Sequence, residues 1–184
     1  MPRYAPIQRL LHWAIALVVL GALGIGLIFA ICDGFAGTKE VFGADMTNLF
    51  YKYHKTFGVI ILFAMVIRIL VKIRLGKPDY HQPMSRFEHI ASNAVHGLLY
   101  LGLLVMPVLG WLGTAAGGFP VQFFGWNLPG ILNKPDHGHL YETLMEIHGI
   151  IGWIMLICVA LHIGGALKHW LVNRDGVMTR MSLF

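Results

Sequence analysis

Ten histidines stand in a chain of 184 residues in which Asp, Glu, Lys and Arg together make up only 12%. Imidazole changes charge near neutral pH and is the commonest side-chain ligand for a metal, so such a set points to proton transfer or metal ligation. Spacing sharpens the choice. His148 and His162 are 14 residues apart, which on a helix leaves them within ~40° on one face and ~21 Å apart along the axis. His169, 7 residues further on, continues the stripe. No Cys-x-x-Cys-His occurs, so a haem held by these rings would be non-covalent, b-type and not c-type.

The elements that carry the histidines are apolar. The chain is 57% hydrophobic, and its charged fraction is about half that of a soluble protein. Disorder is excluded by the hydrophobicity. A secreted disulfide scaffold is excluded by the cysteine count, because only Cys32 and Cys158 are present and Cys158 lies inside an apolar run. The net charge of +5 does not indicate nucleic acid, since the basic residues flank apolar runs and do not line one soluble face. About 20 apolar residues cross the hydrocarbon as a helix, and four segments qualify, near residues 7–31, 48–74, 89–116 and 143–172. The first is too long for a signal-peptide core and is read as a retained span.

The connections, 32–47, 75–88 and 117–142, are short and mostly polar. Helices joined so briefly are antiparallel neighbours. The expectation is an all-α, integral membrane, up-down four-helix bundle forming a single domain over 1–184, with Pro107 kinking the third span. Ten basic residues (Arg3, Arg9, Arg68, Lys72, Arg74, Lys77, Arg86, Lys168, Arg174, Arg180) fall on the side of the termini and four (Lys39, Lys52, Lys55, Lys134) on the other. That bias puts both termini in the cytoplasm.

Measured from the outer end of each span, the histidines sort by depth. His54 and His148 lie about five or six residues in, and His12, His96 and His162 about nineteen or twenty. Ionisable groups at such depths are costly and usually functional. One layer pairs His54 with His148, and the other pairs His12 or His96 with His162. Two opposed imidazoles from facing helices form a bis-histidine haem site. Zinc is disfavoured, because no layer holds the cysteines or carboxylates that usually complete its shell. His81, His137 and His139 fall in loops and are read as solvated.

The motifs in order resemble the bacterial cytochrome b561 family, small dihaem b-type proteins of the inner membrane. QRLLHW at residues 8–13 resembles the family's opening, YHKTFGVIILFAMVIR at 53–68 its second helix, EIH at 146–148 the start of its fourth, and LHIGGALKH at 161–169 its later histidines. The tail RDGVMTRM at 174–181 is similar to the family's ending. The resemblance covers nearly the whole chain and implies two haem b, one held by His12 and His162 and the other by His54 and His148. It also implies that His96 is not an axial ligand. Many relatives carry a second histidine where this chain has Trp170, so any proton-relay role rests here on His169 alone.

The resemblance implies transmembrane electron transfer by a multi-pass protein of the bacterial inner membrane, of the superoxide:ubiquinone oxidoreductase type. Bis-histidine ligation leaves no open iron position for oxygen chemistry. At the inner end ubiquinone is the expected partner, with His169 as proton donor and Arg9, Arg68 or Lys168 for haem propionates; the plainer roles are a snorkelling histidine and ordinary inner-side anchors. At the outer end Lys52 and Lys55 flank His54 and could steer superoxide or simply end a helix. The alternative is a haem-b anchor subunit accepting electrons from a partner dehydrogenase or hydrogenase. The aromatic stretch 118–133 could dock such a partner, but is read as an interfacial belt. Ala22 and Gly26 could pack a homodimer face, but are read as making room for haem.

Overall fold

In hydrocarbon every backbone polar group must be satisfied internally, and apolar runs of this length do so as helices. The computed structural model describes residues 2–79, 85–130, 132 and 138–183. Four long helices run in order, α1 (Pro6–Ile31), α2 (Gly34–Leu75), α3 (Arg86–Ala116) and α4 (His139–Lys168). Each is long and apolar enough to cross a membrane. α1 packs on α2, α2 on α3, α3 on α4, and α4 returns to α1. The all-α membrane bundle expected from the sequence is the architecture found, with one small β-hairpin inserted.

The boundaries follow local chemistry. Pro6 opens α1, where its missing N–H costs nothing. Ser85 caps α3 by accepting the Glu88 N–H at 3.2 Å, while the Glu88 carboxylate accepts the Ser85 N–H at 3.0 Å. α3 therefore starts three residues ahead of the expected 89, and it continues through Pro107. α4 likewise begins before residue 143 and runs on as a π-helical turn, His169–Asn173, before a short helix α5 (Val177–Met181).

The connection expected at 32–47 is not a loop. α1 turns directly into α2 through Cys32 and Asp33, and the chain is helical from Gly34, broken only at Gly43 with φ 78°. Three glycines in this stretch read as breakers, yet only two of them use the freedom a missing Cβ gives: Gly34, with φ 79°, opens the helix and Gly43 interrupts it. Gly37 sits against the Cys32 carbonyl, where a side chain has no room. Thr38, Thr47 and Thr56 are fully buried. Each hydroxyl donates to the carbonyl four residues back, at Gly34, Gly43 and Lys52, which meets the requirement that a buried polar group be paired.

The hairpin, β1 (Val121–Phe123) and β2 (Trp126–Leu128), is also absent from the sequence reading. It rests on α2 through Thr56, which accepts the Phe124 N–H at 3.1 Å, and through Lys55, which donates to the Pro120 carbonyl at 3.1 Å. Val121 is buried beneath it, while Trp126 stands 77% exposed.

Mid-bundle, Ile15, Val19, Ile61 and Met65 form a buried cluster between α1 and α2. Met155 of α4 is buried as well. Gly102 of α3 admits it, since a Cβ there would collide with its sulfur. Outward-facing Leu17, Ile73 and Val172 are each more than 70% exposed, as expected of side chains whose solvent is lipid. At the end that carries both termini, Arg180 ties the tail to the rest. Its guanidinium donates to the Pro78, Asp79 and Pro2 carbonyls, and its own carbonyl accepts the Tyr4 N–H.

Candidate functional site

Five of the ten histidines meet in two groups inside the bundle. In the group farther from the chain termini, the outer group, His54 of α2 faces His148 of α4, with ring centres 6.0 Å apart and planes at 76°. In the inner group His12 of α1 faces His162 of α4, again at 6.0 Å and at 77°. His96 of α3 also approaches His162, more closely, at 5.1 Å. An imidazole nitrogen lies about 2 Å from a bound metal, and its ring centre roughly 1 Å beyond, so two rings on opposite faces of one metal sit about 6 Å apart, centre to centre. Both 6.0 Å pairs meet that condition, and the His96–His162 separation is too short for it.

The outer pair is held from behind on both sides. His54 Nδ1 lies 3.1 Å from the Ala22 carbonyl of α1, and His148 Nδ1 lies 3.1 Å from the Met106 carbonyl of α3. A carbonyl only accepts, so each ring carries its proton on Nδ1 and keeps the lone pair on Nε2, as a histidine ligand requires. One turn beyond each carbonyl stands a glycine. A Cβ on Gly26 would come within 3.3 Å of His54, and one on Gly110 within 3.0 Å of His148. Gly26 therefore makes room for the His54 ring itself, where the sequence reading has it make room for haem.

Between the two rings opens a cavity of about 380 Å³. Gly58 and Gly149 line it, with nothing within 4 Å of where their Cβ atoms would stand. Phe29 and Tyr51, 4.4 Å apart, form part of the wall, and Phe29 reaches the His54 ring at 6.0 Å. Lys55 also lines it, while Lys52 does not. A flat apolar macrocycle needs facing imidazoles with their Nε2 lone pairs free, aromatic and aliphatic walls, and glycines where its plane comes near the backbone. The outer site offers all three and fits a haem.

The inner group is built differently. His12 Nδ1 accepts a long contact, 3.4 Å, from the Arg68 guanidinium, which also donates to the Gln8 carbonyl at 3.3 Å. His96 gives its Nδ1 proton to the Ser92 carbonyl at 2.7 Å. Of the three cations expected to serve haem propionates, Arg68 alone sits at the histidines. Arg9 donates to the Ser182 carbonyl, and Lys168 pairs with Glu88 across α3 and α4. Among the described residues no cluster of three or more His, Cys, Asp and Glu could hold a bare metal ion.

The remaining described histidines lie outside both pairs. His89 contacts Asn93 at 3.3 Å, His139 begins α4, and His81 and His137 fall outside the described residues. His169 opens the π-helical turn, with Nδ1 2.6 Å from Asp175. The sequence reading gave Asp175 no role. It carried a weak signal in its place before Gly176, a turn-forming pair.

A membrane bundle with opposed imidazoles and no Cys-x-x-Cys-His is the architecture of a b-type cytochrome. Residues 3–182 match the family described as prokaryotic cytochrome b561, and the chain belongs to that family of haem-b electron-transfer proteins, multi-pass in the bacterial inner membrane. It is similar to cytochrome b561 homolog 2 of Escherichia coli (strain K12), 27% identical over 97% of this chain and 90% of that one. Cytochrome b561 homolog 1 of the same strain is 25% identical over 98% and 97%. A Yersinia pestis protein described as probable superoxide oxidase CybB is 25% identical over 97% and 95%.

Proposed function

We propose that this chain carries electrons across the membrane between an outer-side donor, superoxide, and ubiquinone at the inner side, through two haem b. The single observation that supports it best is the recurrence of one imidazole geometry at two depths, 6.0 Å with 76° and 6.0 Å with 77°. His54 and His148 hold the outer group, and His12 and His162 the inner. Along α4 the levels are ~21 Å apart, a gap that two extended macrocycles shorten. When bound, the groups supply one-electron transfer without an open iron position.

The residues divide the remaining work. Ligation through His12 Nε2 requires the proton on Nδ1, so Arg68 gives up its contact there and is free to meet a propionate. Both termini face the cytoplasm, in line with the basic bias, which puts Lys55 on the outer side. Its ammonium steers an anion toward the outer cavity. The relative described as a probable superoxide oxidase favours superoxide as that anion. Two superoxide ions release two electrons and leave as dioxygen; one quinone takes those electrons with two protons and becomes quinol. His169 donates one of the protons. Trp126, on the hairpin's exposed edge, sits as an interfacial anchor.

The test is a reduced-minus-oxidised spectrum of the detergent-purified protein, with haem counted per chain, followed by superoxide-driven ubiquinone reduction. Two low-spin b haems per chain and a rate that falls with added salt support the reading. One haem per chain overturns the two-site assignment. A large soluble subunit that co-purifies from native membranes, with no superoxide reactivity, replaces it with the haem-b anchor role.

A further inference from the structure

His169 and Asp175 are brought together by an unusual piece of backbone. On a straight α-helix, residues six apart point about 240° away from each other and do not meet. Here α4 widens into the π-helical turn His169–Asn173, a feature common at functional sites. Arg174, with φ 50°, and Gly176, with φ 77°, then take left-handed conformations and fold the chain back. The result sets Asp175 Oδ2 2.6 Å from His169 Nδ1. The carboxylate is itself anchored, because its Oδ1 accepts the Val177 N–H at 3.1 Å. Both side chains are about 15% exposed. The Asn173 amide nitrogen stands 3.3 Å from the same Nδ1, a longer contact than the 2.6 Å one to Asp175.

We propose that Asp175 is the positioning residue for His169, fixing the proton on Nδ1 so that Nε2 is the atom that serves the quinone. This rests on the quinone reading above. A carboxylate on one imidazole nitrogen sets the tautomer and ring direction and stabilises the imidazolium, whichever chemistry the other nitrogen performs. The Nε2–H bond of the imidazolium would break and an O–H bond form on the quinone as it takes electrons, which a haem held by His12 and His162 would supply. The ring is left neutral with Nδ1–H still held by Asp175. Water from the inner side returns the proton to Nε2.

Two measurements on the haem-loaded, full-length protein test this. With histidine labelled at its ring nitrogens, the nitrogen NMR signal lost in His169→Gln identifies His169. It is expected to show a protonated, strongly hydrogen-bonded Nδ1 that Asp175→Asn abolishes. A signal that shows Nε2–H alone, or that D175N leaves unchanged, overturns the proposal. In steady-state ubiquinone reduction, D175N is expected to lower kcat about tenfold or more with little change in KM and no change in the haem spectrum. If H169Q lowers kcat and D175N does not, Asp175 has no positioning role and the proton-donor reading survives. If H169Q leaves kcat unchanged, the donor reading fails, and with it the role of Asp175 toward the quinone.

Discussion

Replacing Gly110 by alanine tests whether the outer site is shaped around its histidines. A Cβ at that position would stand 3.0 Å from Cε1 and 3.3 Å from Nδ1 of His148, against an optimal carbon–carbon separation of about 3.5–4.0 Å. The ring must move by about half an ångström or more. It cannot do so freely, because Nδ1 is held at 3.1 Å by the Met106 carbonyl. Overpacking of this kind costs about 1–3 kcal/mol, and weakening the hydrogen bond adds about 0.5–1.5 kcal/mol. Disturbing the group behind a ligating histidine also lowers metal affinity about 10–100-fold. G110A is therefore expected to purify with the outer haem depleted and the inner one retained. The assay is haem per chain together with a redox titration, which separates two unequal centres. G26A, whose Cβ would lie 3.3 Å from His54, should show a milder form of the same loss. Gly24 is the control: nothing lies within 4 Å of its would-be Cβ, so G24A should keep both haems and gain up to about 1 kcal/mol of helix stability. Full haem content and unchanged potentials in G110A would refute the reasoning, since the ring would then not depend on the space that the glycine provides.

Further perturbations address the walls and the ends of the bundle. Gly58→Ala and Gly149→Ala place a methyl in the cavity while touching no protein atom within 4 Å; haem affinity should fall, while apo-protein helicity by circular dichroism stays constant. Thr56→Val strands the Phe124 N–H that its hydroxyl accepts, at a cost of about 1–3 kcal/mol; faster proteolysis within 118–130 than in the parent would report the released hairpin. Arg180→Ala removes donors to Pro78, Asp79 and Pro2 and should expose the N-terminal residues to exchange in hydrogen–deuterium measurements, with both haems retained. Burial pushes the Asp175 carboxyl up, but the Val177 N–H and His169 outweigh it and hold the group below the usual carboxylate range. Its stabilisation is thus complete above the unfolded value of about 4 and disappears as pH falls through the lower folded one. In detergent, the thermal stability gap between wild type and D175N should be open at pH 7 and shrink below pH 4.

The parts of this fold that are legible in the sequence are those written in side chains. Four apolar runs announce four spans, and histidines at matched depths announce two layers, because burial of an imidazole in hydrocarbon is visible from hydropathy alone. What failed to show was written in backbone. The helix from Gly34 was hidden by glycines that look like breakers, although only Gly43 interrupts it. The hairpin at 121–128 was hidden because its anchor, Thr56, lies more than sixty residues away on α2. Asp175 escaped for the same kind of reason: its meeting with His169 depends on a π-helical turn and two left-handed residues, which no α-helical periodicity anticipates. His96 is the converse case. Depth does not separate it from His12; in the structure both rings approach His162, His96 at 5.1 Å and His12 at 6.0 Å, and 6.0 Å is the separation that the proposed ligation needs.

The outer site also shows a regularity without a sequence repeat. On α1 the Ala22 carbonyl faces His54 Nδ1, and Gly26, four residues on, clears space for the ring; on α3 Met106 and Gly110 do the same for His148. The two stretches, ALGIG and MPVLG, share only the final glycine, because the working parts are a carbonyl and an absent Cβ. Each imidazole of the outer pair therefore hangs from the helix preceding its own, α1 for α2 and α3 for α4, which fixes its tautomer with the lone pair on Nε2. The inner pair has no such device. His12 is met by a side-chain guanidinium where His54 and His148 are met by backbone. A carbonyl in a helix cannot withdraw, and an arginine can. On the proposed ligation, the outer site is pre-set, while the inner one would have to exchange the contact between Arg68 and His12, which would tie ligation there to the position of a positive charge.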